Sequence, residues 1–424
     1  MELLAPAGNI EKLRYAFHYG ADAAYIGLHG FSLRTRADNF STSDAETLRA
    51  VKGNRRLYCA LNIYFFDNDI GRLDAALDRV EPGVFDAFIV SDLGIVRLLQ
   101  RRFPNTELHL STQANCVNAD AVRLYRDLGF HRVVPGRELS LAQIAAIRSA
   151  VPEVALEVFV HGAMCLAYSG RCFLSAWMAG RSGNRGDCAH SCRWAYRVGE
   201  DPSARPEVPP GALPPDAIHA VLEEAERPGE FYPIVEGEGF TEILSSRDLC
   251  MIDHLPALRD AGVDSLKIEG RMKSVYYTSV VTRAYRAALD SMAAVPDATV
   301  LPDSVRPFTD ELQRVSHRDY TTGFYFGDGE IQKPAASGYR RDSLYLGSIG
   351  REISPGRFML EVKNGFRRGE PVELLGPNRA AVVLTDYRLL DPSGNPVDRV
   401  IHHGEWQIEP GVPAQALDLL RRAL

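Results

Sequence analysis

The stretch ELLAPAGNIEKLRYAFHYGADAAYIGL, residues 2–28, decides the fold. It begins with an apolar run, ELLAP, which predicts a buried strand. A helical pattern, EKLRYAFHYG, follows and ends at Gly20, a residue type that readily takes the left-handed conformation after the last helical turn. A second apolar run, AAYIGL, starts at Ala23. A strand, a helix and a second strand in this order are typical of a parallel sheet covered by helices.

The same strand-and-helix unit recurs through residues 1–295. Further strands are predicted to start at Leu57, Ala87, Glu107, Arg132, Leu156 and Ser265. Asn118 is a predicted helix N-cap, and Ser140 with Gln143 forms a predicted capping box. Helix ends are predicted at three further glycines: Gly83, Gly129 and Gly262. Eight such units favour an α/β fold in the form of a closed (β/α)8 TIM-like barrel over an open doubly wound sheet.

The repeat breaks once, after the seventh predicted strand. Residues 161–246 contain no clean unit, so we expect a long insertion between the seventh and eighth strands. The insertion carries four of the seven cysteines, in the spacing C-x6-C-x15-C-x3-C: Cys165, Cys172, Cys188 and Cys192. Loops that leave the carboxyl ends of barrel strands build the active-site face, which places these cysteines at the barrel mouth. Four thiolates on one glycine-rich segment can converge on a metal centre.

The spacing leaves the identity of the metal open. Structural zinc is usually held by paired C-x2–4-C knuckles, and only Cys188 with Cys192 resembles one. An irregular set of four cysteines suits an iron–sulfur cluster equally well. Cys59 and Cys116 fall on or near strand ends and are predicted to be buried, while Cys250 either lies near the site or only packs.

Composition limits the class of protein. The 424 residues are 46% hydrophobic and carry a net charge of −7, which argues against a broadly basic surface and allows a local basic patch. No apolar run approaches the roughly 18–20 residues that a membrane helix needs, and the amino terminus lacks a secretory pattern. We therefore expect a cytoplasmic protein with reduced cysteines and no membrane partner.

The pattern changes after the eighth predicted helix. Residues 296–340 read as a transition, and residues 341–424 read as short strands and turns, which predicts a small β-barrel or sandwich domain. A domain of this kind beside a catalytic barrel is more often a module for recognition or oligomer formation. Its candidate phosphate contacts are Tyr339, Arg340, Arg341, Arg351, Phe366, Arg367 and Arg368. The same residues are equally typical of solvated turns.

Polar residues cluster where barrel strands are predicted to end, which favours a polar substrate pocket at the barrel mouth. The main candidates are Asn62, Gln113, His161, Lys267, Glu269 and Arg271; Ser111, Asn115, Arg137 and Glu138 occupy similar positions. Lys267 and Glu269 share one strand face, so a buried pair that stabilises the barrel is the alternative there. Arg181 and Arg185, in the run GRSGNRG, suit phosphates or carboxylates, or offset the charge of a thiolate cluster.

Specific motifs connect these patterns to a known family. Residues 157–175, EVFVHGAMCLAYSGRCFLS, match the signature E-x-F-x-x-G-[SA]-[LIVM]-C-x4-G-x-C-x-[LIVM]-S at every specified position. The runs ELLAPAGN, STQAN, GRSGNRGDCAHSCR, SSRDLCMID and KIEGRMKS extend the likeness from residue 1 to about residue 295. The chain thus resembles peptidase family U32 and is most similar to its tRNA hydroxylation branch.

The resemblance implies an RNA-modifying enzyme. Members of that branch form 5-hydroxyuridine at the tRNA wobble position without O2, so tRNA and prephenate, or a related small carboxylate, are the expected partners. Relatives carry [4Fe–4S] clusters, which implies a cluster on Cys165, Cys172 and Cys188, with Cys192 as the fourth ligand and Cys250 in reserve. Zn2+ is the alternative metal, and homo- or hetero-oligomers are expected within the family.

The expected mechanism has a flipped-out uridine enter the pocket with its phosphates on Arg181 and Arg185. His161, Gln113 or Glu269 would position the base or manage protons. Further substrate contacts are expected from Asn62, Lys267 and Arg271. Two alternatives stay open: a U32-type peptidase or collagenase, and a zinc-stapled binding protein without catalysis. Support for proteolysis is thin, since the sequence has no HExxH or GxSxG motif and only His161 near Cys165 suggests a thiol nucleophile.

Overall fold

The chain folds as a closed parallel barrel followed by a separate β-rich domain. The fold comes from a computed structural model. It describes residues 1–33, 39–41, 44–164, 181, 187–189, 247–327, 340–402 and 404–424, together with the backbone of residues 220–223, 231–237 and 240–242.

Eight strands form the barrel. They are β1 (Glu2–Pro6), β2 (Ala23–Gly27), β3 (Arg56–Leu61), β4 (Ala87–Val90), β5 (Glu107–Leu110), β6 (Phe130–Val133), β7 (Ala155–Ala163) and β12 (Ser265–Ile268). Each is parallel to its neighbours, and β12 pairs with both β1 and β7, which closes the circle. The predicted (β/α)8 barrel is therefore confirmed.

Helices cover the outside of the barrel. They are α1 (Ile10–His18), α2 (Ala45–Lys52), α3 (Asp67–Leu77), α4 (Val96–Arg102), α5 (Ala119–Asp127), α6 (Leu141–Ala150), α7 (Leu255–Asp260) and α8 (Val275–Ala294). Outward side chains such as Leu3 and Ile26 join the main core under these helices, whereas Leu4 and Tyr25 point inward. Nearly all positions on both faces of the strands are buried, with Arg56 and His131 exposed, which explains why the strands read as nearly continuous apolar runs. Within the described residues, no helix combines the length and apolar character needed to cross a membrane.

Local signals set the helix ends. Asn118 accepts a hydrogen bond from the Ala121 N–H, and Ser140 with Gln143 forms a complete capping box, both as predicted. Three of the four predicted terminal glycines directly follow the cap residue of a helix and have positive φ angles: Gly20, Gly129 and Gly262. The prediction for Gly83 was wrong, because α3 already ends at Leu77 and this glycine lies in the following loop.

The insertion contains a small antiparallel sheet of its own, and two further strands extend the barrel sheet. The separate sheet consists of β8 (Ala220–Glu223), β9 (Phe231–Gly237) and β10 (Phe240–Glu242). β11 (Asp248–Cys250) pairs antiparallel with the last residues of β7, and β13 (Tyr320–Thr321) lies parallel to β11. A short helix, α9 (Arg306–Thr309), precedes β13. The end of β7 is thus fixed on both sides just before the first predicted metal ligand.

The carboxy-terminal domain has its own apolar core. Its strands are β14 (Ser343–Ser354), β15 (Arg357–Val362), β16 (Phe366–Arg367), β17 (Val372–Leu375), β18 (Val382–Leu384), β19 (Arg388–Leu390), β20 (Pro396–Val397), β21 (Arg399–Val400), β22 (Trp406–Glu409) and β23 (Leu419–Ala423). Eight form one sheet in the order β18-β17-β23-β14-β15-β22-β19-β20, and β16 pairs with β21. Phe366 is a core residue, so its predicted phosphate contact is wrong; Tyr339 lies outside the described residues.

The two domains are joined by specific polar contacts. The Tyr19 hydroxyl at the end of α1 donates to the Leu375 carbonyl at 2.9 Å. Arg421 of β23 forms an ion pair with Glu311 and donates to the Tyr276 hydroxyl at 3.0 Å. Because these groups are buried, the hydrogen bonds and the ion pair fix the domain against the barrel.

Candidate functional site

A cavity opens at the carboxyl ends of the barrel strands. Its lining comes from strands β2 to β7 and β12, or from the residues directly after them: Tyr25, Leu33, Ala60, Asn62, Ile89, Ser111, Thr112, Gln113, Val134, Arg137, Phe159, Lys267, Glu269 and Arg271. Five of the six main sequence candidates are therefore brought together here. The lining carries three basic side chains and one carboxylate, so it favours an anionic or acceptor-rich ligand.

Lys267 forms part of the cavity floor through a buried ionic network. Its Nζ lies 2.7 Å from Glu157 Oε1, and Glu157 Oε2 lies 2.9 Å from Arg132 Nη1. The same Arg132 atom binds Glu2 Oε1 at 2.6 Å. Lys267 Nζ also lies 4.5 Å from the centre of the Tyr25 ring. A buried lysine pair that stabilises the barrel is thus present, with Glu157 as the partner.

Two neighbouring cations keep the Glu157 carboxyl group ionised. Burial alone raises the pKa of this carboxyl, but Lys267 and Arg132 outweigh burial and lower the pKa to about 2. Burial lowers the pKa of Lys267, and the Glu157 carboxylate opposes that shift. Opposite charges at hydrogen-bonding distance favour the charged form of both groups. The floor therefore presents an ammonium group whose charge is already partly balanced from below.

Arg271 reaches the cavity wall because β2 ends in a glycine. Arg271 is 4% exposed, and its Nη1 donates to Ser32 Oγ at 3.1 Å. A Cβ atom at Gly27 would lie 1.9 Å from the same Nη1. Any side chain at residue 27 would therefore displace the guanidinium. Glycine is needed at residue 27 because the Arg271 side chain packs directly on the backbone there.

Asn62 and Arg137 add donors to the wall. Asn62 Oδ1 accepts the Leu33 N–H at 3.1 Å, which leaves the Nδ2 group to donate to a ligand. The Arg137 guanidinium lies 4.0 Å from the centre of the Phe159 ring. Its buried Nε has no hydrogen-bond partner among the residues that the structure describes. A ligand oxygen would satisfy this group, since buried donors are normally paired.

Glu269 is held at the rim by its backbone. Its N–H donates to the His161 carbonyl at 2.8 Å, and its carbonyl accepts the Tyr277 hydroxyl at 3.1 Å. Gly162 has a φ of 109°, and a Cβ there would lie 2.6 Å from the Glu269 carbonyl oxygen. The backbone of Glu269 is thus enclosed on two sides, and its side chain lines the cavity.

Gln113 lines the cavity from a tight turn after β5. Its N–H donates to Ser111 Oγ at 3.3 Å, and the turn ends at Asn115, which has a φ of 54°. Thr112 Oγ1 donates to the Pro135 carbonyl at 3.0 Å. These local bonds direct the residues after β5 towards the barrel axis.

The structure separates His161 from the cavity. It is 1% exposed and faces three tyrosine rings, with centroid distances of 6.0 Å to Tyr277, 5.6 Å to Tyr285 and 5.4 Å to Tyr320. The Tyr285 hydroxyl lies 3.4 Å from His161 Nδ1. Burial lowers the pKa of His161 to about 3, so the ring is neutral at physiological pH. Its position does not support the predicted role in positioning the base or managing protons.

One predicted metal ligand, Cys188, falls within the described residues and is partly exposed. Cys165, Cys172, Cys192 and Arg185 lie outside the described residues. Arg181, a predicted phosphate contact, pairs with Asp187 beside Cys188, with Nη2 2.5 Å from Oδ1. In the described part of the chain, no three His, Cys, Asp or Glu side chains lie close enough together to hold a metal ion.

The other cysteines are poor thiolate ligands. Cys59 and Cys116 are buried, as predicted. Burial raises the pKa of the Cys59 thiol to about 12 and that of Cys116 to about 11. Cys250, the reserve ligand, pairs with His161 across β11 and β7, and burial raises its pKa to about 12. A raised pKa disfavours the free thiolate of these three cysteines.

Sequence reasoning missed the support beneath the cavity. Glu2, Arg132 and Glu157 were treated as parts of apolar strands, although each places a charge inside a predicted buried run. Such a charge needs a partner in the barrel interior. A search for opposite charges in buried strands would have found the set.

Known proteins resemble this chain along most of its length. Residues 8–334 match the sequence model of Peptidase family U32, and residues 341–421 match that of the Peptidase family U32 C-terminal domain. The chain is 37% identical over 404 residues to tRNA hydroxylation protein P of Escherichia coli, covering 89% of this chain and 86% of that protein. It is 34% identical over 406 residues to tRNA hydroxylation protein P1 of Bacillus subtilis, covering 95% and 89%. It is also 29% identical over 399 residues to a collagenase of Porphyromonas gingivalis, covering 90% and 88%.

Proposed function

Because this chain belongs to peptidase family U32, we propose that it is an RNA hydroxylase that acts on tRNA. The observation that carries the proposal is the identity of 37% and 34% to two tRNA hydroxylation proteins across both domains. In its finer form, the reaction forms 5-hydroxyuridine at the wobble position without O2. Prephenate or a related small carboxylate is the proposed co-substrate, and a [4Fe–4S] cluster is the proposed cofactor.

The cavity lining supports an acidic co-substrate. Arg137, Lys267 and Arg271 supply three cations around one space, and Glu269 is the single carboxylate in the described lining. A guanidinium group binds a carboxylate with two parallel hydrogen bonds. A lysine ammonium group cannot form this paired arrangement, so lysine is not an equivalent replacement. Asn62 Nδ2 adds a neutral donor whose direction is set by the Leu33 hydrogen bond.

The same lining suggests roles for individual side chains. Arg271 and Arg137 would orient the carboxylate, and Lys267 would balance its charge at the floor. Glu269 would hold or receive a proton at its carboxylate, since it lies at the rim where a flipped base would enter. Gln113 would bind a carbonyl of the uracil ring through its amide. The tyrosines and apolar residues around the floor would exclude water.

The donor set of the insertion supports an iron–sulfur cluster, since four cysteines lie close together in its sequence. Cys188 is partly exposed, and β7 ends at Ala163, two residues before Cys165 in the sequence. A cluster bound by Cys165, Cys172, Cys188 and Cys192 would supply electron transfer. Zn2+ on the same thiolates is the alternative, and it would give a structural site without redox chemistry.

The geometry gives little support to a peptidase. A cysteine nucleophile needs a neighbouring base within hydrogen-bonding reach. His161 is buried against tyrosines, and its low pKa leaves it neutral in that position. The described cysteines with raised pKa values are also unsuited to form a thiolate nucleophile.

The test combines metal analysis with a product assay. Protein purified without oxygen is expected to contain iron and acid-labile sulfide in a near 1:1 ratio. When it is incubated with tRNA and prephenate, nucleoside digestion and mass spectrometry should detect 5-hydroxyuridine. Cluster-loaded protein that forms no such nucleoside would overturn the proposal. Colourless protein with stoichiometric zinc, or cleavage of gelatin, would favour the respective alternative.

A matched pair of cysteine variants sharpens this test. Cys188→Ser is expected to lower iron content and abolish 5-hydroxyuridine formation, because serine does not replace a thiolate at iron. Cys116→Ala is the control, since this cysteine is buried and lies outside the insertion in the sequence. Equal iron content in both variants would show that Cys188 is not a ligand.

A further inference from the structure

A two-stranded ribbon in the carboxy-terminal domain carries three exposed arginines. The antiparallel register of β16 and β21 places Phe366 opposite Val400 and Arg367 opposite Arg399. Phe366 and Val400 are buried, whereas Arg367 and Arg399 are exposed. Arg368 follows at the end of β16 and is also exposed. We call Arg367, Arg368 and Arg399 the arginine ribbon.

The guanidinium groups of the arginine ribbon have no acidic partner among the described residues, although other arginines of the domain do. Arg357 Nη2 lies 2.8 Å from Glu409, and Arg379 Nη2 lies 2.6 Å from Asp418. Glu370, which follows the ribbon in sequence, is bound by Arg422. The three positive charges of the ribbon are therefore not neutralised by ion pairs within the described chain.

The backbone beneath the ribbon is firmly held. The Tyr387 hydroxyl donates to the carbonyls of Arg367, at 2.8 Å, and Glu370, at 3.0 Å. The Tyr387 ring packs against Phe366 with centroids 6.3 Å apart. The Arg368 N–H donates to the Asp398 carbonyl at 2.9 Å, which continues the pairing past the strand ends. The arginines are thus presented on a fixed frame.

Like charges directly opposite on two strands repel, so the pair Arg367–Arg399 destabilises the free ribbon slightly. A polyanion that lies across both strands would remove this repulsion. Ile401, two residues after Arg399, is 46% exposed and adds an apolar surface beside the charges. Closely spaced arginines next to an apolar side chain match the sugar–phosphate backbone of a nucleic acid.

We propose that the arginine ribbon binds the phosphate backbone of the tRNA at nucleotides away from the reacting base. The inference rests on the proposed function, which supplies tRNA as the substrate. The whole chain carries a net charge of −7, so a local basic patch is needed to attract RNA to one face. One phosphate per arginine would release about three counterions on binding.

A charge-matched pair of triple variants tests the proposal. The ribbon variant is Arg367→Gln, Arg368→Gln and Arg399→Gln. The control is Arg123→Gln, Arg306→Gln and Arg388→Gln, which removes three arginines that are exposed by 44%, 70% and 70% and pair with acids. Both variants lose the same charge. The Kd for tRNA is measured at several salt concentrations.

The ribbon variant is expected to bind tRNA about 10-fold more weakly or worse at moderate salt. Its slope of log affinity against log salt concentration should fall by about 2–3, because three phosphate contacts are lost. The control variant should stay within about 2-fold of the unmodified protein, since its charges are already paired. Equal losses in both variants, or none in the ribbon variant, would overturn the proposal.

Kinetics separate this inference from the proposed function. The ribbon variant should raise the KM for tRNA and leave kcat within about 2-fold, because the arginines are not among the residues that line the cavity. If the unmodified protein forms 5-hydroxyuridine and the ribbon variant matches it in Kd and KM, the ribbon inference fails alone. If the unmodified protein binds tRNA through the ribbon and forms no 5-hydroxyuridine, only the proposed function fails.

Discussion

Two layers of the barrel interior hold their charged side chains in different ways. In the lower layer, Glu157 bridges Arg132 and Lys267, and Arg132 continues to Glu2. In the upper layer, Arg271 and its neighbours line an open cavity. The lower charges are held chiefly by one another. Among the upper ones, Arg271 packs on the backbone of Gly27 and donates to Ser32, and Arg137 lies over the Phe159 ring.

This difference distinguishes charged side chains that stabilise the barrel from charged side chains that can contact a ligand. A buried charge whose hydrogen bonds are completed by protein partners contributes to the folded state and offers little to a ligand. A charge that is positioned by packing and by neutral partners can keep its head group at the cavity wall, where a ligand can meet it. Lys267 belongs to both layers, since its Nζ pairs with Glu157 and also lines the cavity.

Removal of the bridging carboxylate in the lower layer should have the largest effect. Glu157→Gln leaves Lys267 and Arg132 buried without their shared counter-charge, which should lower the free energy of unfolding by about 3–5 kcal/mol. Urea unfolding at pH 7 measures this loss. The folded pKa of Glu157 is lowered from 4.5 to about 2, so its contribution is present above pH 4.5 and is lost as the pH falls towards 2. The variant should lack that part of the acid sensitivity.

Asp120→Asn is the control for the lower layer, because Asp120 is 92% exposed and pairs with Arg123 on the surface. Its effect on the free energy of unfolding should stay below about 0.5 kcal/mol. Similar losses in the two variants would show that the lower layer is not a paired support.

A substitution in the upper layer should affect activity more than stability. Arg271→Gln removes a buried cation that faces the cavity, and we expect kcat/KM for tRNA hydroxylation to fall about 100-fold, or about 2.7 kcal/mol. Gly27→Ala should act in the same direction, because its Cβ would displace the Arg271 guanidinium. Activity and urea unfolding are measured on the same preparations.

Met272→Ala is the matched control for the upper layer, since this side chain is 45% exposed and directly follows Arg271. It should retain activity within about 2-fold of the unmodified protein. Full activity of Arg271→Gln would remove the upper layer from the proposed site.

Lys267→Met tests the residue that the two layers share. The substitution should lower the free energy of unfolding by about 1–2 kcal/mol. This loss is smaller than that of Glu157→Gln, because Glu157 still has Arg132 as an ionic partner at 2.9 Å. The variant should also lose activity, since an ammonium group disappears from the cavity floor. A stability loss equal to that of Glu157→Gln would mean that Lys267 alone supports the lower layer.

The fold was predictable because its signals are local. Eight apolar runs, each followed by a helical pattern, are enough to indicate a (β/α)8 barrel, and glycines such as Gly129 mark helix ends through their positive φ angles. The ionic partner of Lys267 was not predictable in this way. Glu157 lies 110 residues earlier in the chain, and the two meet only because β7 and β12 are the strands that close the barrel.

The position of His161 outside the cavity lining has an equally specific cause. Phe159 lines the cavity, and a regular strand would place the side chain two residues later on the same face. The register between β7 and β12 shifts after the pair Phe159–Lys267, so that Ile268 lies opposite His161. A shift of one residue moves a side chain to the other face of a sheet. His161 therefore faces the tyrosines of α8, and no strand pattern reveals such a shift.

His161→Gln gives the smallest expected effect and tests whether the shift truly removes this residue from the upper layer. Hydroxylation should stay within about 3-fold of the unmodified protein, and the pH profile of kcat should be unchanged, because the neutral ring donates no proton to the cavity. The folded pKa of about 3 lies below the ordinary value of 6.5, so protonation favours the unfolded chain as the pH falls below 6.5. The unmodified protein should therefore lose more stability than the variant between pH 7 and pH 5.

His131→Gln serves as the comparison in the same urea experiments, because His131 is exposed on β6. Its free energy of unfolding at pH 7 should stay within about 0.5 kcal/mol of that of the unmodified protein. Loss of hydroxylation in His161→Gln with normal unfolding would place the imidazole in the chemistry after all. His161, on the outer face of β7, would then belong to the functional site. The register shift would in that case not exclude this residue from the reaction.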